Sequence, residues 1–140
     1  MGHSDANIKL KPLHMGVSVS DMETSIQWYQ NVLGFQLERS TYMAPLKSKV
    51  AFLRLGDFSV ELFRPDEVIP LPEERRIPNE DIKTNGTKHI AFLVKDMDAL
   101  FKDLSEKKVD FATAVFGVNN NKVLFIRDNT GNLIEFIQTD

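Results

Sequence analysis

Cysteine is absent from this 140-residue chain, which removes disulfides, thiolate metal ligands and cysteine nucleophiles together. The absence suits a reducing compartment, and a cytoplasmic location is the expectation. Long apolar runs are absent too: none approaches the ~20 residues that a membrane-spanning helix needs. The opening Met1-Gly2-His3-Ser4-Asp5-Ala6-Asn7 lacks the apolar core of a secretory signal. A basic excess is missing as well. Lysine and arginine number 17 against 20 aspartates and glutamates, for a net charge of -3, so nothing invites nucleic acid as a partner. Histidine is scarce. Of the three, His3 lies in the N-terminal lead and receives no role.

The other two histidines are placed by an internal repeat. Leu13-His14-Met15-Gly16-Val17-Ser18-Val19-Ser20-Asp21-Met22 resembles Lys88-His89-Ile90-Ala91-Phe92-Leu93-Val94-Lys95-Asp96-Met97. Each half closes on an apolar strand with a glutamate inside it, Val60-Glu61-Leu62-Phe63 and Ile134-Glu135-Phe136-Ile137. The histidines are 75 positions apart and the glutamates 74. An acid within an apolar strand is costly unless something pairs with it. Two such acids and two histidines in repeat-equivalent places suggest one shared partner, for which a divalent metal is the simplest candidate.

Apolar alternation and turn residues predict the order β-α-β-β-β in each half. In the first, a strand over 12–19 precedes a helix from Met22 to Leu33, capped by Asp21 and ended by Gly34. Strands near 35–42, 47–55 and 58–64 follow. In the second, a strand over 88–94 leads to a helix from Met97 to about Lys107, capped by Asp96. Strands near 109–116, 121–127 and 132–138 complete it, with Asp128-Asn129-Thr130-Gly131 as the last turn. The chain therefore reads as a single α+β domain over 1–140, with module one at about 12–64, a linker at 65–86 and module two at about 87–138. Pro65, Pro70, Pro72 and Pro78 argue against a strand or helix interior in the linker. A connection of that length is usually functional or partly mobile. Its Glu73-Glu74-Arg75-Arg76 run reads as solvated, Trp28 and Tyr29 as helix packing, and Asn119-Asn120-Asn121 as a hairpin turn.

Strand alternation assigns faces. Leu13, Met15, Val17 and Val19 should pack under the helix, which turns His14 to the other side. Ile90, Phe92 and Val94 do the same for His89, as do Val60 and Leu62 for Glu61, and Ile134 and Phe136 for Glu135. Gly16, Ser18 and Ala91 beside the histidines are small and leave room for a ligand.

These stretches, together with Trp28-Tyr29-Gln30-Asn31-Val32-Leu33-Gly34-Phe35, Lys49 to Pro65, and Arg127-Asp128-Asn129-Thr130-Gly131-Asn132-Leu133-Ile134-Glu135, resemble the vicinal oxygen chelate superfamily of glyoxalase I, methylmalonyl-CoA epimerase, bleomycin resistance proteins and extradiol dioxygenases. The resemblance implies paired βαβββ modules. They would form an open, strongly curved, eight-stranded barrel-like sheet with helices on its convex side. It implies metal ligands at His14, Glu61, His89 and Glu135, and a homodimer. Imidazoles and carboxylates without sulfur suit one divalent Zn, Ni, Co, Fe or Mn ion per site.

A glyoxalase-like lyase, isomerase or epimerase is the function this implies. It would stabilise an enediolate or enolate while a proton moves next to a carbonyl, with Glu135 the first candidate base and Glu61 the second. The substrate would be a small molecule with vicinal oxygens or a carbonyl. Ser18 stands where glyoxalase I carries a glutathione-holding arginine, and Ala44-Pro45 where the epimerase carries a further glutamate. The first departure weighs against a glutathione substrate and the second against a standard two-base epimerase. Arg54 and Arg127 are weighed as anion-binding groups against surface placement. An Fe(II) dioxygenase and a non-enzymatic drug- or metabolite-binding protein are the alternatives.

Overall fold

The computed structural model describes residues 9–140; His3 lies outside the described residues. Strand β1 spans His14–Ser18 and leads into helix α1, Met22–Leu33. The Asp21 carboxylate accepts the Thr24 N–H at 2.9 Å and so satisfies a backbone donor that the first turn leaves free. Gly34, at φ 82°, ends the helix in a conformation that costs other residues a steric penalty. Strands β2 (Gln36–Met43), β3 (Ser48–Leu55) and β4 (Phe58–Pro65) follow. In the second half come β5 (Ile90–Leu93) and α3 (Met97–Glu106), capped by Asp96, with the short helix α2 (Pro78–Asp81) ahead of them. Then come β6 (Asp110–Phe111), β7 (Phe116–Val118), β8 (Asn121–Arg127) and β9 (Leu133–Gln138).

The strands form two sheets. One has the order β1-β4-β3-β2; the other runs β5-β9-β8-β6, with β7 also paired to β8. In each, the first strand lies parallel to the last of its module while the rest are antiparallel, so the repeat in sequence is a repeat in topology. A single eight-stranded barrel-like sheet is not what forms: there are four strands and five, and among the described residues no pairing joins them. Side chains of the last turn take the place of a strand at the end of β1. Thr130 Oγ1 accepts the Ser20 N–H, and the Asn132 amide donates to the Ser18 carbonyl. The expected strand at 109–116 is split because the Ala112 and Thr113 N–H groups both reach the Phe125 carbonyl, which interrupts the ladder.

One core lies between the sheets. Val17, Tyr29, Leu53 and Leu62 of the first half meet Met97, Leu104, Leu124 and Ile134 of the second, and Phe92 touches both Phe35 and Phe58 edge to face. Full burial of each such aliphatic side chain contributes roughly 1.5–3 kcal/mol, so each half depends on the other. Leu13, expected beneath the helix, is 71% exposed, because it precedes the first paired residue of β1. Among the described residues no helix is long and apolar enough to cross a membrane.

Candidate metal centre

The parallel pairing of β1 with β4 sets Gly16 against Glu61 and His14 against Ser59. Since side chains alternate, His14, Gly16 and Ser18 share the open face with Glu61 and Phe63. Met15, Val17, Val60 and Leu62 turn to the core, and all but the partly buried Met15 are buried. The imidazole Nε2 of His14 stands 3.2 Å from Glu61 Oε1. The second module repeats the construction. Ala91 lies against Glu135, Ile90 and Ile134 are buried, and His89 Nε2 stands 3.2 Å from Glu135 Oε1. Each glutamate side chain keeps 17% of its surface, and its imidazole offsets part of the cost of that burial.

Each pair has a third member that sequence reasoning did not single out. Phe52 lies opposite Glu61 on β3, its ring edge-on to the His14 ring at 5.7 Å. Phe125 lies opposite Glu135 on β8, edge-on to the His89 ring at 5.0 Å. Their 73-position separation follows the repeat and was the signal available for finding them. Each ring covers one side of its imidazole. Their surroundings differ: the Arg39 guanidinium lies 4.3 Å over the Phe52 ring, whereas the Phe116 ring stacks on Phe125.

Imidazole nitrogens and carboxylate oxygens suit a divalent ion of borderline to hard character. The structure brings His14 together with Glu61, and His89 together with Glu135. It does not bring the two pairs to one point: among the described residues no three histidine, aspartate or glutamate side chains gather closely enough to hold one ion. The chain thus presents two equivalent histidine–glutamate pairs, one on each sheet.

The other residues weighed from sequence take structural places. Arg54 pairs with Glu38 at 3.0 Å on the surface. Arg127 donates to the Arg76 carbonyl and pairs with Asp110 at 2.9 Å, tying β8 to the linker. Trp28 and Tyr29 pack in the helix. The Tyr29 hydroxyl donates to Asp128 Oδ2 at 2.7 Å, and burial, reinforced by that carboxylate, holds its pKa well above the usual value. Asp128 Oδ1 in turn accepts the N–H groups of Thr130, Gly131 and Asn132, which shapes the last turn.

The Glu73-Glu74-Arg75-Arg76 run is not simply solvated. Arg76 donates to the Thr130 carbonyl, and Arg75 donates to Asp81 at 2.6 Å. These contacts turn both guanidinium groups onto the body of the protein. Pro65, Val68, Ile69, Leu71 and Arg75 of the linker wall a cavity of about 260 Å³ that reaches Ser18, His89 and Asn132.

Residues 11–136 match the family model described as the glyoxalase/bleomycin resistance protein/dioxygenase superfamily. Human mitochondrial methylmalonyl-CoA epimerase is 28% identical over 131 residues, spanning 89% of this chain and 72% of the relative. A glyoxylase/bleomycin resistance protein/dioxygenase domain from Frankia sp. EAN1pec superposes with a TM-score of 0.77 at 22% identity, covering 94% of each chain. The fosfomycin resistance protein FosX of Listeria monocytogenes, solved with Mn(II) and sulfate, superposes with a TM-score of 0.65 at 14% identity, over 95% of each chain.

Proposed function

The chain belongs to the glyoxalase/bleomycin resistance protein/dioxygenase superfamily, and on that premise we propose that it is a divalent-metal-dependent lyase, isomerase or epimerase that moves a proton next to a carbonyl. The observation that carries this reading is the pair of half-sites. Each offers one imidazole nitrogen and one carboxylate oxygen at the same 3.2 Å separation, on the open face of its sheet and at repeat-equivalent positions. Together they are a two-histidine, two-carboxylate set. Such a set would hold a divalent ion and leave it open to substrate oxygens.

His14, Glu61, His89 and Glu135 would hold a Zn, Ni, Co, Fe or Mn ion. When bound, it supplies Lewis acidity that stabilises the negative charge growing on a carbonyl oxygen. The remaining work falls to the chain itself. A carboxylate oxygen of Glu135 takes the proton from the carbon next to the carbonyl and can return it, with Glu61 as the second candidate. Phe52 and Phe125 each cover one side of an imidazole. Arg39 forms no ion pair among the described residues and lies beside the first half-site, where it offers a place for an anionic group of the substrate.

The protein acts as a homodimer in which the first pair of one protomer meets the second pair of its partner. That arrangement uses both half-sites twice, with two-fold symmetry. Support comes from the absence, among the described residues, of any three-ligand group within one protomer.

The test is solvent deuterium incorporation into 2-hydroxyacyl, 2-oxoaldehyde-derived and acyl-CoA substrates by the metal-loaded protein. Incorporation that is lost in Glu135→Gln while the metal stays bound is the expected result. Stoichiometric metal with no exchange in any class, together with oxygen-dependent cleavage of a catechol, would transfer the protein to the dioxygenases. Ligand binding without metal or turnover would make it a sequestering protein.

A further inference from the structure

We infer that a buried ionic clasp centred on Asp81 positions His89 for its role at the metal; the inference rests on the proposed metal site. The two histidines enter their sheets differently. His14 is a member of its ladder, paired with Ser59. His89 precedes its ladder, which starts at Ile90 against Ile134. His89 thus lies one residue outside the paired ladder, although this ligand must be placed as accurately as the other.

The clasp holds the two residues immediately before it. Arg75 Nη2 donates to the Thr87 carbonyl at 3.0 Å, and Arg75 Nε donates to Asp81 Oδ1 at 2.6 Å. Lys88 Nζ pairs with the same Oδ1 at 3.2 Å and also donates to the carbonyls of Asp81 and Thr84. The Asp81 side chain is 2% exposed and that of Lys88 19%. Thr87 and Lys88 are thus both anchored to one buried carboxylate. Nothing equivalent precedes His14: Pro12 and Leu13 are exposed, and no side-chain hydrogen bond among the described residues involves them.

A buried carboxylate persists only with compensating partners, and a network that satisfies it fixes the backbone groups it includes. In the linker, that network falls where the sheet does not yet reach. Asp81 is therefore a positioning residue that acts through Lys88 and the backbone of Thr87. Loss of contacts that orient a ligand from outside the metal's own donor set commonly weakens metal binding 10–100-fold.

The experiment is imidazole proton–nitrogen correlation spectroscopy on the metal-free full-length protein, with His14 as the internal reference. It is followed by competition between the protein and a chelator for Zn(II). In Asp81→Asn and Lys88→Met the His89 ring signals should shift or broaden while those of His14 stay in place. Zinc affinity should fall about tenfold, and Lys88→Arg should recover most of it. Tyr29→Phe, which removes a different buried hydrogen bond, should leave both histidines as in wild type. Should Asp81→Asn not fold, Lys88→Met decides, because it keeps the Arg75–Asp81 pair. Unchanged His89 signals, equal movement of both histidines, or undiminished zinc affinity in the folded variants would overturn the clasp's role alone. Failure of the wild type to bind zinc would overturn the ligand reading beneath it, whatever the spectra show.

Discussion

In the first half of the molecule His14 stands inside a parallel ladder, with a phenylalanine ring at its edge and an arginine above that ring. In the second half His89 stands just outside its ladder, with a phenylalanine ring at its edge and another stacked behind it. Both histidines meet their glutamates at 3.2 Å. Equal geometry on unequal supports teaches which features the repeat must keep and which it can vary. The donor pair and its aromatic neighbour recur in each module. What adjoins the histidine differs, a paired strand position in one half and a buried ion-pair network just ahead of it in the other, and so does the charge of the surroundings.

The largest effects should come from breaking the equivalence of the half-sites. His14→Ala and His89→Ala should each abolish activity. Mixing the two variants under conditions of subunit exchange should restore about a quarter of wild-type activity, because half of the dimers would each carry one intact site. No recovery on mixing would place all four ligands of a site in one chain. Next comes the aromatic member. Phe125 is buried, and Phe125→Ala should destabilise by about 3–4 kcal/mol in chemical denaturation. Phe52→Ala should cost clearly less, since Phe52 is only partly buried. Equal losses would mean that the two rings carry equal structural weight.

Smaller effects sharpen the seam between the halves. Tyr29→Phe should cost about 1 kcal/mol near neutral pH, the usual net value of one hydrogen bond. Tyr29 has its pKa raised in the folded state, so its contribution is present below the ordinary value of 10.0. Above that, the unfolded chain loses the phenolic proton while the folded protein keeps it. The stability gap between wild type and variant should therefore close as pH rises past that value; a gap that widens would contradict the assignment. Arg54→Ala, at an exposed pair, should change stability by no more than about 0.5 kcal/mol in the same denaturation experiment.

Much of this was legible in the chain. Helix α1 falls on Met22–Leu33 as its cap and glycine predict, and alternation assigns His14 and Glu61 to the face away from the core. The last turn is where Asp128 predicts it. These features depend on local chemistry or on period-two patterning, which sequence records directly. The sheet boundary was not legible, because side-chain periodicity does not say whether two edge strands will pair. At β1 the Thr130 and Asn132 side chains satisfy backbone groups instead. The break between β6 and β7 was hidden for a similar reason: it arises from which N–H reaches the Phe125 carbonyl. The linker's charges looked solvated because a run of mixed charge gives no sign of turning inward. Only the fold shows that Asp81 lies buried between Arg75 and Lys88.

Metal stoichiometry tests the central claim most directly. Mass spectrometry of elements on protein purified without chelator, and again after exposure to Zn, Ni, Co, Fe and Mn salts, should give about one divalent ion per chain, as expected when two half-sites make one site. The count should fall near zero in His14→Ala and in Glu135→Ala alike, although the two residues lie on different sheets. Metal retained in full by either folded variant, or none bound by the wild type after every salt, would contradict the account.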